Sequence, residues 1–162
     1  MDLLEAKSRI AEALVQSIFR RARYDVVPYR AAASPLRFGR EDFSPDFRVS
    51  QASPEGGERD FLVEVKYRPS VEQFISVENQ RGERSIFLLA RRQWPALYFV
   101  IVSDRPEPGR ACFQAVAVHG LAPGGPFHAT DLDRLAELEI YPANLADHEV
   151  LARRIFALLA SA

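Results

Sequence analysis

DFLVEVKYR, residues 60–68, is the stretch on which the reading of this chain turns. It follows the turn-forming SPEGGER (53–59), precedes Pro69 and is rich in Phe, Leu, Val and Tyr, a pattern that predicts a β-strand. Side chains alternate along a strand, so Phe61, Val63, Val65 and Tyr67 share one face, which reads as the packed face. Leu62, Glu64 and Lys66 share the other. A core strand carries a carboxylate and an ammonium only if they are paired, hydrated or metal-bound.

The composition limits the function classes. The chain has 162 residues, enough for one domain with a real core, and is 48% hydrophobic and 27% charged, as globular domains are. A net charge of −1 supplies no overall field toward nucleic acid or acidic membrane, so any nucleic-acid contact needs a local basic patch. Arginine fills all but two of the 21 basic positions, the exceptions being Lys7 and Lys66. Lys66 therefore stands out, because a lysine is a compact point charge that arginine does not replace. The single cysteine, Cys112, excludes an internal disulfide framework and a cysteine-based zinc site, and reads as a small core residue. No apolar run approaches membrane-spanning length, and MDLLEAKSRIAEAL at the start is amphipathic and acidic, unlike a signal peptide. A cytoplasmic protein without membrane contact is expected.

Outward from the central strand, residues 2–23 carry a helical stripe through Leu3, Ile10, Leu14 and Ile18, with Asp2 as N-cap. YDVVPYR (24–30) predicts a short strand, 31–43 a loop, and SPDFRV (44–49) a strand pairing with 60–68. Ser70 and Gln73 form a capping box for a helical segment within 70–93, with Gly82 a point of interruption. Trp94-Pro95 marks the junction to ALYFVIVSD (96–104), the expected sheet centre. RPEPG (105–109) reads as a turn, ACFQAVAVH (111–119) as a strand and LAPGGPF (121–127) as a loop. A short helix over 131–139, a break at Tyr141-Pro142 and a last helix over 147–160 complete the order αβββαββαα, a single α/β domain with a mixed sheet.

Pro45-Asp46 lies one strand before Glu64 and Lys66. If the two strands are neighbours, Asp46 approaches the Glu64/Lys66 row. Two carboxylates so placed repel unless a cation sits between them. Two acids with a backbone carbonyl such as that of Val65 form a hard oxygen set suited to Mg²⁺ or Mn²⁺. Lys66 beside them suits the orientation of a water and the stabilisation of charge on a phosphate. The plainer reading is a solvated edge strand with a cross-strand ion pair to Asp46.

Ser44-Pro45-Asp46 followed by Glu64-Val65-Lys66 resembles the signature of the PD-(D/E)xK nuclease superfamily. The element order around the motif, over about residues 3–103, is similar to the superfamily's αβββαβ core. KSRIAEALVQSIFRRARYDVV is similar to the entry helix and strand of archaeal Holliday-junction resolvases and related restriction-like enzymes. The resemblance implies a restriction-endonuclease-like, three-layer α/β fold in one domain over 1–162, with 105–162 as a strand and helical extension. It also implies DNA hydrolysis by a metal-activated water. Asp46, Glu64 and the Val65 carbonyl would hold Mg²⁺ or Mn²⁺, Lys66 would serve the nucleophile, and Glu12 would bind a second ion or a metal-bound water. Glu5, one heptad earlier on the same helix flank, is the alternative to Glu12. Gln73 and Gln80 would assist.

The arginines admit two readings, a solvated surface or a groove in which Arg37, Arg40, Arg48, Arg81 and Arg84 meet DNA phosphates. His119, His128 and His148 follow no ligand spacing and read as surface or loop residues. The expected partners are DNA and either a second copy, as a homodimer, or a targeting protein. The rival function is a catalytically silent module on the same fold, acting through protein or DNA binding. A generic α/β protein with an incidental ion pair is the third reading.

Overall fold

The computed structural model of the chain describes residues 2–29, 36–38, 41–117 and 124–160, with the backbone alone for 36–38 and 41–43. The opening periodicity folds as a helix, α1 (Leu3–Arg21), whose N-cap Asp2 accepts the Glu5 amide at 2.7 Å. Ala11, Leu14, Val15, Ile18 and Phe19 form its buried stripe. Leu3, expected in that stripe, is 50% exposed in the first turn.

β1 (Asp25–Pro28) follows, then two short strands, β2 (Leu36–Phe38) and β3 (Glu41–Phe43), which pair with each other outside the main sheet. A loop was expected there. β4 (Phe47–Ala52) and β5 (Glu58–Tyr67) form the expected antiparallel hairpin. The helical stretch that follows is interrupted where glycine permits it. α2 (Val71–Arg81) ends at Gly82, whose φ of +53° favours a residue without Cβ. A 3-10 turn and the cap Ser85 then start α3 (Ile86–Gln93).

β6 (Leu97–Val102) is buried along its whole length, as a sheet centre should be. β7 (Phe113–Ala117) and β8 (Thr130–Asp131) complete a six-stranded mixed sheet in the order β1-β4-β5-β6-β7-β8. Among the described strands the β5–β6 pair alone is parallel, and α2 with α3 makes the crossover that a parallel pair requires. Of the rest of the expected 111–119 strand, Ala111 and Cys112 lead into β7 without strand structure, and residues 118–119, with His119, lie outside the described residues.

The 131–139 segment is not the predicted α-helix. After Asp131 it makes two 3-10 turns, Leu132–Arg134 and Ala136–Leu138, and Glu139 adopts a φ of +51°. Leu132, Leu135 and Leu138 recur at a spacing of three, which lines up on a 3-10 helix and drifts on an α-helix. Leu132 and Leu138 are fully buried. The last helix, α4 (Pro142–Ala160), starts at Pro142 and not at 147. Pro142 opens it because the first helical position needs no N–H.

Two apolar clusters, one on each face, make this a three-layer arrangement. α1 and α4 cover a face formed by Val63, Tyr67, Tyr98, Val100 and Val102, with Phe61 and Val65 packed against it. α2 and α3 cover the opposite face through Leu97, Phe99 and Ile101, where Leu62 packs. The two faces of β5 are thus both covered at Phe61–Val63, with Glu58, Arg59 and Asp60 before that covered stretch and Glu64 and Lys66 after it.

Candidate functional site

The far end of β5 is set apart by a difference in strand length. β4 begins at Phe47, opposite Val63, so Glu64–Tyr67 pair with β6 and lack a β4 neighbour. Pro45 has no N–H and cannot extend a ladder. Asp46, the next residue, bridges the gap. Its amide donates to the Val63 carbonyl at 2.9 Å, and its Oδ2 accepts the Val65 amide at 2.7 Å. These two bonds hold the Asp46 carboxylate beside the Glu64–Lys66 row.

Glu64 is 6% exposed. Lys66 Nζ lies 3.4 Å from its Oε1, while its Oε2 is buried with no hydrogen-bond partner among the described residues. Burial pushes the Glu64 carboxyl up to about 8, the Asp46 and Glu12 charges add to the rise, and Lys66 opposes it. Burial likewise pushes Asp46 up to about 6; the Val65 amide and Lys66 oppose this and Glu12 adds to it. A desolvated carboxyl beside another carboxylate resists ionisation for both reasons at once.

α1 contributes Glu12, half-buried on the flank of the stripe and approached by Gln16 Nε2 at 3.5 Å. Its charge reaches both Asp46 and Glu64. Glu5, the alternative, is in solvent and pairs with Arg9 at 2.9 Å. Glu12 is therefore the α1 carboxylate associated with the pair. Among the described residues, no group of three or more His, Cys, Asp or Glu side chains is arranged to hold a metal ion. Asp46, Glu64 and Glu12 influence one another through space without closing into a three-ligand cluster.

The other expected residues are placed as follows. Gln73 and Gln80 are exposed on α2. Arg48 pairs with Asp60 at 2.6 Å and Arg81 with Glu78 at 3.2 Å. Arg84 is exposed in the 3-10 turn. Arg40 and the side chain of Arg37 lie outside the described residues. His128 is exposed, but His148 corrects the surface expectation: it is 6% exposed and its Nε2 lies 2.8 Å from Ser17 Oγ between α1 and α4. Cys112 is buried, as expected.

Sequence reasoning missed three features. It picked the Val65 carbonyl as a ligand but not the Val65 amide as the anchor of Asp46; Pro45, which ends the ladder, was the available signal. It missed Glu78, a second buried carboxylate, whose Oε1 accepts Ser85 Oγ at 3.1 Å and the Ile86 amide at 2.8 Å. It also missed the chain in which Lys7 Nζ donates to Tyr67 Oη at 3.3 Å and Tyr67 donates to Asp104 at 2.7 Å, tying α1 to the ends of β5 and β6. No local pattern marks that last contact.

The pair presents hard oxygen donors of the kind that suit Mg²⁺ and Mn²⁺, namely a buried Glu64 oxygen without a hydrogen-bond partner among the described residues and the Asp46 carboxylate beside it, while the Lys66 ammonium opposes a further positive charge. In comparisons with known proteins the chain matches no family model, no curated protein and no solved structure.

Proposed function

We propose that this chain is a divalent-metal-dependent DNA endonuclease of the PD-(D/E)xK kind. The observation that carries the reading is Glu64 Oε2, buried and without a hydrogen-bond partner among the described residues, beside Asp46. A buried carboxylate oxygen left bare costs free energy that a bound cation would offset. The mixed sheet between two helical layers, with Glu64 on β5, Asp46 immediately before the neighbouring β4 and Glu12 on the first helix, supports a restriction-endonuclease-like core.

Asp46, Glu64 and the Val65 carbonyl would hold the ion. When bound, the ion would acidify a water and polarise the phosphodiester. Lys66 orients the attacking water and stabilises charge on the phosphate; the water oxygen bonds to phosphorus as a sugar oxygen leaves. Glu12 adds negative charge on the α1 side and strengthens the pull on a cation. Without metal, protons take the ion's place, since the Glu64 carboxyl is pushed up to about 8.

Cleavage of plasmid, branched or single-stranded DNA in Mg²⁺ tests the proposal. Activity is expected in the wild type and lost in Asp46→Ala and Lys66→Ala; cleavage that survives both substitutions sinks it.

A second reading is a silent module on the same fold, acting through protein or DNA contacts. It draws support from the lack of a three-ligand cluster among the described residues and from the ion pairs that engage Arg48 and Arg81. Calorimetric titration with Mn²⁺ separates the two, since no binding at millimolar metal favours the module.

A further inference from the structure

A cleft of about 500 Å³ lies between α2 and the segments around β7 and β8. It shares no residue with the Asp46–Glu64 pair. Its size falls within the range of roughly 300–1,000 Å³ typical of small-molecule sites.

The walls are pinned by bonds that do not depend on an occupant. Asn79 on α2 holds the Phe127 backbone twice, donating from Nδ2 to the carbonyl at 3.2 Å and accepting the amide at 2.6 Å. Arg110 holds the opposite side. Its Nε donates to Asp131 at 3.2 Å, and its Nη2 donates to Gln114 at 2.8 Å and to the Ala129 carbonyl at 2.6 Å. Gln114 in turn donates to the Ala111 carbonyl at 3.1 Å. A cleft braced in this way is preformed, which lowers the ordering cost of binding.

The polar groups still open to a ligand include one pure donor, on Arg110, beside groups that both donate and accept. Arg110 Nη1 makes no hydrogen bond among the described residues, and the exposed Ser76, Gln80 and His128 stand at the mouth. The buried Val71, Ile75 and Phe127 supply an apolar surface. Among anions, the charge balance disfavours a second negative charge. Asp131 already answers part of the Arg110 charge, and Glu72 adds a carboxylate to the lining, so a dianion would meet more repulsion than a monoanion.

We propose that this cleft binds a small carboxylic acid with an apolar body. The carboxylate meets the open Nη1 edge of Arg110, and the body lies over Val71, Ile75 and Phe127. Arginine suits this role because its planar donors match a carboxylate. The proposal is independent of the nuclease reading.

The test is an amide-resolved NMR titration of the full chain with benzoate and hexanoate, with benzyl alcohol and phenyl phosphate as comparators. Saturable shifts are expected in residues 71–80 and 110–114, with benzoate binding roughly tenfold more tightly than benzyl alcohol. Ser76→Trp places a bulky ring in the cleft from an exposed helix position. It is expected to weaken benzoate about tenfold at unchanged Tm and unchanged Mn²⁺ binding. Absence of those shifts with both acids overturns the proposal. So does equal binding of benzoate and benzyl alcohol, a preference for phenyl phosphate, or full benzoate affinity in a folded Ser76→Trp variant.

Discussion

Asp46 stands in for a strand that stops short: its Oδ2 takes the Val65 amide at 2.7 Å, the donor that a longer β4 would have paired. The same bond that completes the sheet brings a carboxylate to the buried Glu64. The site is thus built into the end of the hairpin, and its electrostatic strain is a consequence of how that end is sealed.

Metal-free protein should lose stability as pH rises because of this pair. The folded carboxyls at about 8 for Glu64 and about 6 for Asp46 lie above their ordinary values of 4.5 and 3.8. Across that window the folded chain holds more protons than the unfolded chain, so unfolding free energy falls with rising pH, by at most about 1.4 kcal/mol per pH unit for each extra proton. Glu64→Gln removes the larger part of the effect. Thermal melts at about pH 5 and about pH 8 should show the variant gaining on the wild type by on the order of 1–2 kcal/mol at the higher pH. An unchanged difference would count against a strained pair.

Mn²⁺ should bind at the pair with release of protons, and more tightly at high pH, because the ion requires ionised carboxylates. Calorimetry in buffers of different ionisation enthalpy measures both. Asp46→Ala and Glu64→Gln should remove binding. Glu12→Gln should weaken it several-fold, while Glu5→Gln should leave it unchanged, since Glu5 pairs with Arg9 in solvent. Equal effects at Glu5 and Glu12 would contradict the placement of Glu12.

Lys66→Met should separate binding from chemistry. Removing the ammonium 3.4 Å from Glu64 should preserve Mn²⁺ binding but lower DNA cleavage by roughly a hundredfold to ten-thousandfold. It should also push the Glu64 carboxyl further up, because Lys66 holds it down. Cleavage at the wild-type rate would remove Lys66 from the mechanism.

Glu78→Ala should behave in the opposite way to Glu64→Gln. Glu78 caps α3 by accepting from Ser85 and Ile86, so its loss leaves two donors without an acceptor and should cost on the order of 2–4 kcal/mol. Mn²⁺ affinity should not change. Chemical denaturation and calorimetry on the same variant decide whether this buried carboxylate is structural.

The elements legible in the chain were those whose cue is local. Asp2 and Ser70 announce helix starts through their own side chains, and Gly82 marks the break through its backbone freedom. LYFVIV is buried on both faces because every one of its residues is apolar. The misreadings came where the cue is ambiguous or distant. Leucines at 132, 135 and 138 suit a 3-10 path as well as a helix, and Pro142 serves equally to end or to begin one. His148 looks like any surface histidine until α1 packs against it and brings Ser17 to its ring.

For the site, alternation within residues 60–68 was enough to put Glu64 and Lys66 on one face of a strand, and Pro45-Asp46 was enough to place a carboxylate at the entry to its neighbour. Both are properties of a few adjacent residues. Tertiary structure alone decided that β4 stops at Phe47, that Asp46 therefore turns onto the Val65 amide, and that Glu12 and not Glu5 reaches the pair. It also decided that Glu64 is buried with one oxygen bare. Desolvation and charge coupling depend on what the rest of the fold packs around a group, and no stretch of nine residues contains that information.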